Sequence, residues 1–182
     1  SVFMDLVTDP DRVTVLLEWI TEAWIHLIRH FAELGQRAIT EIHVGECSGC
    51  MISGAQFEQF VIPSFIRFGR EIAPVRLHSC GTSNHLLEAF KMIENLGSLD
   101  LGGATSPARV RELWGDDLPV DIAPLVDDLI ARRPEGLLTW ADRVMTENGH
   151  GPLTIVLHLE PGYPLDNIRA LWEYVTRHDS AA

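Results

Sequence analysis

Pro74-Val75-Arg76-Leu77-His78-Ser79-Cys80-Gly81 is the stretch whose reading decides the fold. Residues 74–77 make a short, largely apolar run, and a helix-like pattern begins near Ser83. The order is strand, turn, helix. His78 and Cys80 stand two residues apart, which puts both side chains on one side of an extended segment. An imidazole nitrogen and a thiolate are ligand types that zinc takes. Spacing alone leaves two readings open, a metal pair or a buried cysteine beside a turn histidine.

The same order recurs on both sides. Upstream, Val13, Leu16, Leu17, Ile20, Trp24, Leu27, Ile28, Phe31 and Leu34 recur at steps of three and four, the mark of one broad helical face. Asp9-Pro10 is a fitting start and Gly35 a fitting stop. Residues 38–44 read as a strand, and a Cys/Gly turn leads to a helix over residues 54–72 that Pro63 kinks or breaks. Downstream of the strand at 75–78, a helix is expected over 83–96 and a strand over 98–101. A short helix over 107–114, a strand over 120–123 and a helix over 134–147 follow. The last pair is an apolar strand over 153–159 and an amphipathic helix over 164–178. All five tryptophans fall on helices and are read as packing residues.

Five consecutive strand-then-helix units predict an α/β fold with a parallel sheet. A complete (β/α)8 barrel takes about 250 residues, and this chain has 182. It is an open doubly wound sheet or the C-terminal portion of a TIM-type barrel. The long leading helix, with no strand before it, favours the second. Nothing divides the chain, so a single domain over residues 1–182 is expected.

In either architecture ligands bind beyond the carboxyl ends of the strands. Cys47-Ser48-Gly49-Cys50 closes one strand, and His78 and Cys80 close the next. Cys47, Cys50, Cys80 and His78 would make a closed structural zinc site if they converge. His158, at the end of the last strand, would instead be a third ligand that leaves a position open for substrate. His43 and Glu46 lie in the first strand-end window as proton donor or acceptor. Asp100 sits in a strand, where a charge is costly unless paired.

Composition narrows the function classes. The net charge is −12, with 26 acidic and 14 basic residues, which lacks the footprint of a nucleic-acid binder. No apolar run reaches the roughly 18 residues of a membrane span, and residues 1–6 do not read as a signal peptide. Three cysteines do not form a complete disulfide set, so reduced thiols and a cytoplasmic location are expected.

Cys50-Met51-Ile52-Ser53, then Phe57, Phe60 and Pro63, then Leu77-His78-Ser79-Cys80-Gly81 with Leu86-Leu87, resembles the uroporphyrinogen decarboxylase superfamily. Residues 161–171, from Pro161-Gly162-Tyr163-Pro164 to Leu171, look like its C-terminal signature. The His-x-Cys-Gly is similar to the zinc-dependent corrinoid:thiol methyltransferase branch. That resemblance implies zinc held by the His, the Cys and a third ligand from the last strand. It also implies a small thiol as methyl acceptor and a corrinoid, carried by a partner protein, as methyl donor. Two departures stand out. The family's third ligand, usually Cys, falls at Leu157 in an ungapped match, and His158 serves only if the loop is one residue shorter. The resemblance also covers only the last five units of the barrel, so association is expected, as a dimer or with the missing barrel half. A metal-independent lyase using groups such as Arg76, and a non-catalytic module with a structural Cys3His zinc site, are the alternatives.

Overall fold

The computed structural model describes residues 2–179. The chain forms two compact units. One comprises the chain up to Ser79 together with His85–Leu99, and the other comprises Cys80–Asn84 with the chain from Asp100 onward. The first holds helices α1 (Val2–Thr8) and α2 (Pro10–Gly35), strand β1 (Ile42–Gly45), α3 (Gly54–Phe60), α4 (Ile62–Glu71), β2 (Val75–Ser79) and α5 (Leu87–Phe90). Strand β3 (Leu96–Gly102) begins in it and ends in the second. The second continues with α6 (Pro107–Trp114), β4 (Val120–Ala123), α7 (Val126–Ile130), α8 (Glu135–Asn148), β5 (Leu153–Ile155) and α9 (Leu165–Asp179). The strands are ordered β1-β2-β3-β4-β5, the order in which the chain makes them. Among the described residues no helix is long and apolar enough to cross a membrane.

In the first unit β1 runs parallel to β2, with Ile42 opposite Val75 and Gly45 opposite His78. Ile42, Val44, Val75 and Leu77 are buried, while the alternating His43 and Gly45 are exposed and Arg76 and His78 half-buried. One face of the pair is therefore core and the other carries the polar groups. The core is an aromatic cluster. Phe57 and Phe90 are fully buried, with ring centroids 5.3 Å apart in an edge arrangement, and Phe65 adds a second edge contact to Phe57.

The expected helix over 54–72 is two helices, α3 and α4, that meet at Val61. Pro63 lies in the first turn of α4, where its missing N–H is no loss. Ser53 and Gln56 form a capping box at the start of α3. Asp9 caps α2, its carboxylate accepting from the Arg12 amide. At the other end of α2, Gly35 is still helical and Gln36 adopts the left-handed conformation, with φ of 48°.

Three expectations are corrected. The helix over 83–96 shrinks to a single 3-10 turn and α5. The chain has to turn back before β3, and Asn95 fixes that turn by donating its side chain to the Gly69 carbonyl and accepting from the Val75 amide. The strand over 153–159 shortens to β5, with one further ladder bond from the Val156 amide to the Ile122 carbonyl. Of the tryptophans, Trp140 is buried and donates to the Gly103 carbonyl, and Trp114 is half-buried. Trp19, Trp24 and Trp172 are exposed and do not serve as core. On α2 only Val13, Thr21 and Ile25 are buried, so much of its apolar face is uncovered.

The second unit packs α8 against α6 and α9 around Val110, Ile122, Leu137, Val144 and Leu171. Arg111 ties its turns together. Its guanidinium donates to Asn148 Oδ1 and to the carbonyls of Leu118 and Pro152. Burial pulls the Arg111 pKa down.

Candidate metal centre

The site grows from the carboxyl ends of β1 and β2. Register sets Gly45 level with His78, and the Glu46 amide donates to the His78 carbonyl at 2.7 Å. The turn after β1 is therefore held against the end of β2. That turn is tight: a Cβ on Gly49 would lie 2.7 Å from Phe57 and 2.8 Å from Glu46, so only glycine lets it pass.

Among the described residues, one group of three metal-ligating side chains gathers here: Cys47, His78 and Cys80. Their ligand atoms all lie within 4.8 Å of one another. Donors at about 2.0–2.3 Å from one tetrahedral zinc ion stand about 3.3–3.8 Å apart, so the group would draw in by up to roughly 1 Å to hold one ion. Cys47 is exposed, and His78 and Cys80 are half-buried. Two thiols and one imidazole are donor types that zinc takes.

The other sequence candidates stand outside this group. The Cys50 thiol, in the 3-10 turn Gly49–Met51, donates to the Cys47 carbonyl at 3.3 Å. His158 is exposed in the segment that follows β5. Leu157, where an ungapped match to the family puts a cysteine, is half-buried and has no donor atom. His43 lies on the polar face of β1, its ring centroid 5.9 Å from that of His78. Glu46 is half-buried. Burial raises its carboxyl pKa, and the hydrogen bond from the Gly49 amide opposes that rise only in part. Asp100 is buried in β3.

Gly81 and Gly102 are positioning residues, and sequence reading passed over the second. Gly81 has φ of 83°, so the chain can swing away directly after Cys80. A Cβ on Gly102 would lie 2.3 Å from the Gly81 amide nitrogen and 3.1 Å from the Cys80 carbonyl carbon. The end of β3 thus supports the Cys80-Gly81 backbone from directly beneath. Further along the loop, the Ser83 amide donates to Thr105 Oγ1, and Asn84 bridges the Ala104 carbonyl and the Ser106 amide. No sequence pattern announces such an approach, because its two strands of backbone are twenty-one residues apart.

The family model described as uroporphyrinogen decarboxylase (URO-D) matches residues 1–178. This chain belongs to the uroporphyrinogen decarboxylase family. No curated protein matches this family member. The solved structure of a methyltransferase from Methanosarcina mazei is similar to it in fold, with a TM-score of 0.74 at 19% sequence identity. The match covers 100% of this chain and 53% of that one, so this member of the uroporphyrinogen decarboxylase family spans about half the length of its structural neighbour. Five parallel strands alternating with helices correspond to part of a TIM-type barrel, as the sequence led one to expect. In such barrels the active site lies at the carboxyl ends of the strands, where Cys47 and His78 are found.

Proposed function

We propose that this protein is a zinc-dependent methyltransferase that transfers a methyl group from a corrinoid to a small thiol, with Cys47, His78 and Cys80 as the zinc ligands. The observation that carries the reading is the gathering of two thiols and an imidazole within 4.8 Å at strand carboxyl ends. The methyltransferase identity of the structural neighbour supports the reaction class. Zinc would supply Lewis acidity, holding a substrate thiol as thiolate at neutral pH.

The chain's own groups would do the rest. The thiol must lose a proton on binding. His43, exposed beside His78, and Glu46, next to Cys47, would be the groups to accept it. Asp100 is proposed as a further carboxylate for proton transfer. A methyl-corrinoid donor, if bound, would supply the methyl group to the substrate sulfur, its cobalt–carbon bond being given up with the electron pair left on cobalt. The corrinoid is expected on a partner protein. Cys50 is not proposed as a ligand, because its thiol is turned back to the Cys47 carbonyl.

The test is metal analysis of protein purified without added zinc, together with methylcobalamin demethylation by a simple thiol, followed by absorbance. About one zinc per chain, lost in a His78→Ala/Cys80→Ala variant together with thiol methylation, is the expected result. Activity that survives a strong chelator would point to the metal-independent lyase reading. Unfolding on chelation would point to the structural zinc module.

A further inference from the structure

Cys50 has no part in the metal-centre reading, yet it is held beside one of the proposed ligands. Overlapping bonds of the 3-10 type run through the turn after β1. The Gly49 amide donates to the Glu46 carbonyl, the Met51 amide to Ser48 and the Ile52 amide to Gly49. Side chains three residues apart eclipse in such a turn, and their Cα atoms stand about 6 Å apart along it. Cys47 and Cys50 are three apart, so their side chains leave the turn on one side. A disulfide spans Cα separations of about 4.4–6.8 Å. The Cys50 sulfur already lies 3.3 Å from the Cys47 carbonyl oxygen.

The two thiols differ in access, Cys47 being exposed and Cys50 half-buried. The turn that carries them is fastened at both ends. The Glu46 amide donates to the His78 carbonyl, and His85 Nε2 donates to the Ile52 carbonyl at 3.0 Å. The pair can therefore close by rotation of its side chains while the ends of the turn stay in place.

We propose that Cys47 and Cys50 form a thiol–disulfide exchange site for small-molecule disulfides, with Cys47 as the attacking thiol and Cys50 as the resolving one. In the first step the Cys47 thiolate bonds to one sulfur of the incoming disulfide, whose S–S bond breaks as one small thiolate leaves. In the second the Cys50 thiolate bonds to the Cys47 sulfur and the other small thiolate leaves. The two cysteine protons end on the two small thiols. The incoming disulfide is reduced by two electrons and the cysteine pair oxidised by two. Cys80 is the competing partner, since its sulfur lies within 4.8 Å of the Cys47 sulfur. Its backbone, however, is hemmed in by Gly102, where a Cβ would stand 3.1 Å from the Cys80 carbonyl carbon, whereas Cys50 shares a turn with Cys47.

The consequence for the metal rests on the reading of Cys47 as a zinc ligand. A Cys47 tied into a disulfide has no thiolate left to offer a metal. The disulfide of a small thiol would then switch the centre off. The thiol itself, the proposed methyl acceptor, would restore it by the reverse exchange. The exchange site needs no metal.

The experiment treats the 182-residue protein, freed of metal, with hydroxyethyl disulfide, quenches it in acid, alkylates it and digests it with trypsin. Cys47 and Cys50 fall together in the peptide 38–67, and Cys80 falls in 77–91. Mass spectrometry should find 38–67 lighter by two hydrogens and unalkylated, at least tenfold in excess of any 38–67/77–91 cross-link. Cys50→Ser should stop at the hydroxyethyl adduct on Cys47, and Cys47→Ser should react at least tenfold more slowly. Circular dichroism checks that both variants fold. A cross-link to Cys80 as the main product would overturn the proposal. So would an adduct that persists unresolved in the unsubstituted protein, or a Cys47→Ser variant that reacts as fast. In zinc-loaded protein a chromophoric chelator should register one zinc released for each disulfide closed. An internal disulfide in a protein that binds no zinc would leave the exchange site standing and remove the metal reading.

Discussion

Replacing Gly102 with alanine tests the support beneath Cys80. The added Cβ would sit 2.3 Å from the Gly81 nitrogen, 2.5 Å from the Gly81 oxygen and 3.1 Å from the Cys80 carbonyl carbon. Carbon and backbone atoms in ordinary contact are about 3.5–4.0 Å apart, so the Cys80-Gly81 backbone must retreat by roughly 1 Å. Metal–ligand distances tolerate only about 0.2 Å. A ligand displaced by several times that margin is expected to weaken zinc binding by at least the 10–100-fold typical of lost outer-shell support. Overpacking is expected to cost about 1–3 kcal/mol of stability. The assay is zinc competition against a chromophoric chelator, with urea unfolding run in parallel. Zinc affinity within twofold of the unsubstituted protein would refute the reasoning. So would a large loss of stability with zinc affinity intact, since the clash would then be relieved away from Cys80.

Cys47→Ser should lower zinc affinity as severely as Cys80→Ser, while Cys50→Ser should leave it within a few-fold, as read by the same competition assay. Phe57→Ala removes a fully buried ring that contacts both Phe65 and Phe90, and should cost about 3–5 kcal/mol in urea unfolding. Arg67 holds the Glu22 carboxyl below its ordinary value. The paired carboxylate therefore contributes stability above pH 4.5, and that contribution is lost as pH falls through the depressed folded value. Thermal melts of the protein and of Glu22→Gln should converge as pH drops below 4.5. They should also draw closer in high salt, because Glu22 is an exposed group.

How much of this was legible in the sequence depends on the range of the interactions involved. His78 and Cys80 could be read because one strand end fixes both. The parallel α/β order could be read because each helix and strand has its own period. The choice among Cys47, Cys50 and His158 could not, since it turns on the 3-10 turn that folds the Cys50 thiol back onto its own loop. The α2 stripe was legible as an apolar face, but its periodicity is silent on what covers it. Leu16, Trp19 and Leu27 would have looked the same in a closed core. The early end of α5 escaped detection because Asn95, Gly69 and Val75 set it together. Gly102 escaped for the same reason, as a backbone approach between distant segments leaves only a glycine behind.

Zinc K-edge X-ray absorption on protein purified without added metal tests the central claim most directly. The account predicts about one zinc per chain, with two sulfur ligands at about 2.3 Å, one imidazole nitrogen at about 2.0–2.1 Å and one light-atom ligand. A sulfur shell that falls to one in Cys47→Ser would confirm that cysteine as the third ligand. Protein that retains no zinc, or a shell of two sulfurs that persists in Cys47→Ser, would contradict it.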